Sequence, residues 1–434
     1  MSRVYLMCER VQLLGLPAIA ACLVLACQAP PGGLRNQCVA DWPASQPFVP
    51  AEPVAGVTPE ILWRSRITGS PANDWLVASG DYLAFTAATR LYILDRTGQV
   101  VARRDSAGFE RVSAAVADDA GNFYFAGISA HAVAPDGSLR WVAPLTSFSD
   151  RVPLALGRAI LDPFGGLFFA ASDGYLYGID SRDGSLLWQR QVSDPAKHER
   201  APMVIGGVGN AVLAASPDGT WRPGLWNRTT GEPMAWFTSS HGERHGALIG
   251  PEIGIIVQRM EDRGGSYPWM HIAALDACSN QRFEIPARRP QWPVLLGPGD
   301  RLYVVERDDR PGSPTSVSVY DPDGSLAAGP ADMPIPWGIG ADGTIYALAC
   351  DSPGMDGPSR LYAYGPDLTE RWMLPLGDAC PTAGPVIDST GRLYFTWYFD
   401  RATEVVAVQT RSPGLAATAW PTRRRDPHGT GWLR

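Results

Sequence analysis

The sequence predicts an all-β fold: an eight-bladed β-propeller of four-stranded antiparallel blades, closed by an N-terminal strand at about residues 60–67 that joins the last blade. Three observations predict it. First, one pattern recurs every 39–48 residues: an alternating apolar strand, a tight turn with Asp and Gly, and a second strand ending in Trp. Second, the turn position falls at Gly98, Gly137, Gly184, Gly231, Ser279, Gly324, Leu368 and near Ser412, which makes eight copies. Repeats of this length in a β-rich chain are blades, none of which buries its faces alone. Third, the pattern is out of phase with the two ends of the repeat array. The stretch from Pro59 to Ser65 matches a Trp-ending outer strand with no strands of its own before it, while the last copy, Pro385 to Gln409, lacks a Trp strand after it. Joining the two closes the ring and removes a sheet edge.

In chain order, Arg3 and Arg10 flank a polar start, and Val11 to Ala26 is almost wholly apolar. At about 16 residues this run is short for a membrane span, which needs ~20, and it reads as an export signal. The stretch Val24-Leu25-Ala26-Cys27 resembles the lipobox of bacterial lipoproteins, which implies a signal peptide over residues 1–26 and a lipid on Cys27. Ile19-Ala20-Ala21-Cys22 is a second match, with Cys22 as the alternative. Gln28 after the Cys implies, by the same resemblance, delivery to the outer membrane. Residues 27–58, rich in Pro, Ala and Gly, read as a flexible tether. The propeller then occupies residues 59–412, and residues 413–434 read as an extension packed on it.

Within the blades, Leu176 to Trp188 is the clearest copy of the pattern. Trp63, Trp141, Trp188, Trp236 and Trp372 share one repeat position, with Phe283 and Ala328 in their place in two copies. A second turn signal lies upstream in many copies, as at Asp118-Asp119-Ala120-Gly121, Asp162-Pro163-Phe164-Gly165, Asp342-Gly343 and Asp388-Ser389-Thr390-Gly391. Asp bonds its own backbone and Gly supplies positive φ, so these are hairpin turns rather than calcium loops, which need alternating carboxylates. Proline is expected to open the innermost strands, at Pro153, Pro202, Pro293, Pro336 and Pro385, because it cannot donate to a ladder.

Export allows disulfides. Of the 7 cysteines, Cys38, Cys278, Cys350 and Cys380 follow the signal segment. Cys350 ends one strand and Cys380 opens the next blade, so the expected pairs are Cys350–Cys380 and Cys38–Cys278; the other two connectivities stay open. Lys+Arg 37 against Asp+Glu 44 gives a net charge of −7 with no clustered basic face, which argues against nucleic acid as a partner.

The unit Leu-Tyr-x-x-Asp-x-x-x-Gly-x-x-x-Trp resembles the repeat of the pyrroloquinoline-quinone-like propellers, which include quinoprotein dehydrogenases and the lipoprotein scaffold of the outer-membrane barrel-assembly machinery. Trp420-Pro421 through Thr430-Gly431 resembles a segment common in non-enzymatic members. The enzymes carry a disulfide between adjacent cysteines against the quinone; this chain has no Cys-Cys pair and no evident calcium set. No catalytic residue, metal ligand or cofactor is therefore assigned. His241 and His245 are four apart, but their Ser- and Gly-rich setting reads as an exposed loop rather than a zinc pair. Tyr267 and Trp269 lie in a hairpin insertion and are the candidate ligand contacts.

The function expected is that of a monomeric, non-catalytic propeller. A lipid anchor holds it to the outer membrane, on its periplasmic or surface face, and it binds another protein or an envelope ligand. A barrel-assembly scaffold is one specific form of that expectation. A quinone- and calcium-dependent dehydrogenase is the alternative.

Overall fold

Period-two alternation makes the strands, and Asp/Gly turns make their spacing. The computed structural model of the chain describes residue 39; residues 51–415 apart from 70–75, 88, 106–112, 146–158, 193–202, 216–222, 237–242, 251, 262–268, 277, 279, 288–289, 308–314, 351–357 and 379–380; and residues 432–433. Among the described residues eight sheets are present, each built on four antiparallel strands; seven add them in chain order, the eighth takes its outer strand from the start of the ring, and one sheet carries a fifth, parallel strand. Among the described residues the only helical piece is a 3-10 turn at Pro298–Asp300.

The first strands of the sheets are Val77–Ser79 (blade 1), Val116–Ala117 (blade 2), Ile160–Leu161 (blade 3), Met203–Val208 (blade 4), Glu243–Gly250 (blade 5), Pro290–Leu296 (blade 6), Pro336–Ile339 (blade 7) and Pro381–Ile387 (blade 8). Each touches the first strand of the next sheet, and blade 8 meets blade 1, so they line the axis of a closed ring. Blade 8 takes its fourth strand from the start of the ring. Glu60–Thr68 pairs antiparallel with Ala402–Gln409, Glu60 opposite Gln409 and Thr68 opposite Ala402. This is the closure that the phase of the repeat predicts.

The core is divided into clusters between neighbouring blades rather than gathered at one centre. Trp63 and Ile67 pack with Leu83 and Phe85 of blade 1 and Tyr394 and Val405 of blade 8. Tyr124 and Trp141 of blade 2 share a cluster with Leu167, Phe169 and Tyr177 of blade 3. Because each apolar face is covered only by its neighbour, no blade is stable by itself.

The repeat Trp makes this contact directional. In blade 8 the Trp63 indole N–H donates to Arg96 O at 2.8 Å, in the turn of blade 1. Trp141 of blade 2 donates to Ser181 O of blade 3 at 2.9 Å, and Trp188 of blade 3 to Arg228 O of blade 4 at 2.7 Å. The ring lies flat on the turn glycine of the blade it reaches. A Cβ on Gly98 would come within 2.5 Å of Trp63, on Gly184 within 2.8 Å of Trp141, and on Gly231 within 2.7 Å of Trp188. These glycines also sit at φ of +81° to +85° or, for Gly231, +67°, where a side chain costs energy.

Two seams lack a large ring: Ala102 of blade 1 holds the Trp position against Gly137 of blade 2, where a Cβ on the glycine would come within 2.3 Å of the Ala102 Cβ, and the other changes its glycine. Ala328 of blade 6 holds the Trp position, and the turn residue of blade 7 is Leu368, at φ +66°. Leu368 is buried at 9% exposure, in a cluster against which Ala328 packs. The bulk has moved from one side of the seam to the other.

Three expectations need correction. Pro293 and Pro385 do not open their strands. They lie inside Pro290–Leu296 and Pro381–Ile387, where the register breaks between Gln291 and Leu295 and between Ala383 and Val386. A residue without N–H forces the ladder to skip there. His245 is not in a loop: it lies in Glu243–Gly250, the axial strand of blade 5, because that strand begins before the Gly-rich stretch ends. Finally, the stretch expected as a tether is fastened to the ring over its described part. Ala51 N bonds Ala341 O at 2.9 Å and Val54 N bonds Arg411 O at 2.7 Å, and Val39 is buried among side chains of blades 4 to 6. Residues Cys38–Arg434 form one compact unit; Met1–Gln37, with Cys22 and Cys27, lie outside the described residues.

Deleting residues 59–68 is expected to abolish the cooperative thermal transition seen by circular dichroism, because it uncovers a full strand edge and removes Trp63; a retained melting temperature would refute the closure. At the blade 6–7 seam, Ala328→Trp alone should destabilise by overpacking, and Leu368→Gly alone by about 2–3 kcal/mol, as for a buried Leu truncation. Combined, they should recover most of the loss in urea unfolding, since the pair then has the Trp–Gly form of the seams at Trp63, Trp141 and Trp188.

Candidate functional site

The side chains with chemical potential lie at the turns between the first two strands of each blade. Each turn carboxylate is taken up by the chain itself. Asp118 accepts from Asn122 N at 2.8 Å, Asn122 Nδ2 at 2.6 Å and Tyr124 OH at 2.8 Å. Asp388 accepts from Thr390 N at 2.8 Å, Thr390 Oγ1 at 2.6 Å, Arg392 N at 3.1 Å and Tyr394 OH at 2.9 Å. In blade 3 the matching aromatic is Phe168, which has no hydroxyl. The second oxygen of Asp162 instead takes Arg228 Nη1 of blade 4 at 3.1 Å. Asp300 accepts from Glu252 N and Ile253 N of the neighbouring blade, and burial pushes its carboxyl above the usual carboxylate range.

The tyrosines complete a relay from turn to seam. Tyr124 faces Trp141 at 6.0 Å between ring centroids, and Tyr394 faces Trp63 at 5.9 Å. In each case Asp holds Tyr, Tyr backs Trp, and Trp reaches the next blade. Burial first, and the facing carboxylate second, push the Tyr124 and Tyr394 hydroxyls well above their ordinary range. Tyr177 is shifted the same way by burial and its 2.5 Å bond to Asp173. Their roles are therefore those of neutral donors at physiological pH.

Among the described residues no group of three or more His, Cys, Asp or Glu could hold a metal ion. Among the described residues the buried turn carboxylates Asp118, Asp162, Asp300 and Asp388 already accept two or more bonds from the chain, so they do not suit the calcium implied by the enzymes of this repeat type.

Exposed apolar side chains cluster elsewhere. Val100 and Val101 on the outer strand of blade 1, Leu139 and Val142 on that of blade 2, and Leu186 and Leu187 on that of blade 3 are all 43–51% exposed. They lie on three consecutive blades; Leu62 of blade 8, Leu326 of blade 6 and Met373 of blade 7 are also exposed on outer strands. Between blades 2 and 3 lies a cavity of about 370 Å³, whose walls include Val142, Leu145, Ile179 and Leu186. Phe164 is 65% exposed at a turn of blade 3, with the Arg228 guanidinium 4.1 Å from its ring centroid. An exposed aromatic braced by Arg is a frequent contact feature. Sequence reading missed these exposed side chains because alternation places an apolar residue on either face equally well.

The sequence-derived candidates fall differently. Trp269 is the first residue of a blade 5 strand and pairs with Glu261, while Tyr267 and His241 lie outside the described residues. Trp236 ends the outer strand of blade 4. Cys278 and Cys350 are disulfide-bonded; Cys38 and Cys380, their expected partners, are outside the described residues.

A family model described as outer membrane protein assembly factor BamB matches residues 87–222. A search of curated proteins gives no match. Among solved structures, BamB from Moraxella catarrhalis is 12% identical, with a TM-score of 0.51, covering 81% of this chain and 100% of that one. The quinohemoprotein alcohol dehydrogenase of Comamonas testosteroni is 11% identical, with a TM-score of 0.55 and coverages of 82% and 77%. Quinohemoprotein alcohol dehydrogenase ADHIIG of Pseudomonas putida HK5 is 12% identical, with a TM-score of 0.52 and coverages of 85% and 78%. At such identities the structures speak to fold.

Raising the pH should destabilise the ring through its buried tyrosines. Their folded-state pKa values exceed the unfolded value near 10, so their contribution is complete below pH ~10 and is lost as pH rises above it. Each contributes a slope of up to about 1.4 kcal/mol per pH unit in that range. Urea titrations at pH 9 to 11.5 should show this decline, and a Tyr124→Phe/Tyr177→Phe/Tyr394→Phe variant should show a shallower one. The repeat and the ring closure together make this chain an eight-bladed β-propeller, of which residues 87–222 are similar to the outer membrane protein assembly factor BamB family.

Proposed function

We propose that the chain is a non-catalytic binding scaffold of the bacterial envelope, tethered to the outer membrane through Cys27 (Cys22 being the alternative) and engaging a protein partner. One observation carries it: the segment matched by the assembly-factor model, residues 87–222, is also the segment that presents the exposed apolar side chains of blades 1 to 3 and the cavity between blades 2 and 3. The supporting feature is the cavity that Val142 and Leu186 share between blades 2 and 3, since exposed apolar side chains around a concave surface on a rigid platform suit protein contact. A barrel-assembly complex is the finer form of this reading, supported by the name of the matching model and by the BamB likeness in fold. The second reading, a quinone-dependent dehydrogenase, is favoured by the two alcohol dehydrogenase neighbours and disfavoured by the occupied turn carboxylates.

Proximity labelling from the tethered protein in its own cell tests the scaffold. Enrichment of barrel-assembly subunits is expected, with a loss of at least fivefold in a Val142→Glu/Leu186→Glu variant that keeps its melting temperature. Labelling unchanged by that variant would refute the cavity and its rim as the contact surface. Dye reduction on adding pyrroloquinoline quinone and Ca²⁺ would instead establish the enzyme, and Cys27→Ser should release the protein from membranes if Cys27 carries the lipid.

A further inference from the structure

One blade differs from the other seven. Blade 4 carries a fifth strand, Trp432–Leu433, which pairs parallel with its axial strand Met203–Val208, Trp432 opposite Gly207 and Leu433 opposite Val208. Because Met203–Val208 is the innermost strand, the added strand lies on the axial side of the sheet, at the end of the strand that leads into the turn at Gly209-Asn210. The sequence gives a reason for the choice of blade. Val208 is preceded by Gly206-Gly207, and among the described axial strands only this one carries consecutive glycines. Two residues without side chains let another backbone approach closely where the ring is most crowded. Both glycines and Val208 are buried.

An axial edge with free ladder groups is a template for an extended chain. We infer that the axial edge of Met203–Val208 is a recognition site for an extended polypeptide, occupied in cis by Trp432–Leu433, and that a partner strand of similar aromatic-aliphatic character takes the same place when the C-terminal strand leaves. The cis ladder has only two residue pairs, and such short pairings open more readily than the body of a blade. Further along the chain toward it, Leu415 bridges Gly340 of blade 7, and Ala341 N bonds Gly414 O at 2.8 Å. The C-terminal extension thus makes backbone bonds at both described ends, and Leu415 also packs on the apolar cluster of blades 7 and 8. This inference rests on the scaffold reading and names one kind of partner for it.

The test uses the purified mature protein, a variant lacking residues 426–434, and a fluorescein-labelled peptide with the sequence Asp426–Arg434, read by anisotropy. The truncated protein should keep its thermal transition and bind the peptide at least tenfold tighter than the full chain, whose site is filled; a scrambled peptide should not bind. A Trp432→Pro substitution in the full chain removes one ladder N–H and should raise peptide affinity without changing the fold. Folded truncated protein that fails to bind the peptide overturns the inference, as does loss of the native transition in both variants, which would make the strand a structural staple. Failure here leaves the proximity-labelling result untouched, so the two readings fail separately.

Discussion

The structure depends on one contact: an indole lying on the turn glycine of the following blade while its N–H bonds a carbonyl of that turn. Trp63, Trp141 and Trp188 each make it. A propeller blade is a small twisted sheet with both faces apolar, and it gains stability only from its neighbours. The indole supplies a large flat area together with a directional bond, so it fixes the angle between blades as well as their adhesion. Glycine is required beneath it because any Cβ would occupy the ring's place. At the Ala328–Leu368 seam the bulk lies on the turn side instead, whereas the Ala102–Gly137 seam is small on both sides.

Behind each indole stands a polar support. Asp118 and Tyr124 in blade 2, and Asp388 and Tyr394 in blade 8, carry the same arrangement from turn to ring. In blade 3, Phe168 breaks it, and Arg228 of the next blade takes the free carboxylate oxygen and covers Phe164. The consequence for function is direct. Carboxylates that could have served metal or proton chemistry are consumed in holding blades together. Among the described residues, the features on which the proposals rest are exposed apolar side chains at the outer strands of blades 1 to 3 and the axial edge of blade 4.

Much of this was legible in the residues. Eight turn positions gave eight blades, and the unpaired Trp strand at residues 59–65 gave the closure onto blade 8. The turn aspartates were legible as turn formers because Asp–Gly spacing is set by local backbone bonding. Other features were not. Pro293 and Pro385 read as strand starts, yet the ladder resumes on both sides of each. His245 read as loop, yet it extends an axial strand. The described part of the presumed tether, Ala51 to Val57, read as free chain, yet it bonds blade 7 and the segment after blade 8. Each of these is decided by a partner far away in sequence, about which local composition is silent.

The sequence by itself determined the blade count, the turn chemistry, the repeat Trp position and the order of strands, because all are written in periodic patterns whose period is one blade. Only the tertiary structure decided which apolar residues face solvent and which blade receives the C-terminal strand. The reason is physical. Strand alternation marks two faces without saying which is covered, and a backbone edge offers the same N–H and C=O groups in every blade, until the ring is closed and Gly206-Gly207 leaves room in just one of them.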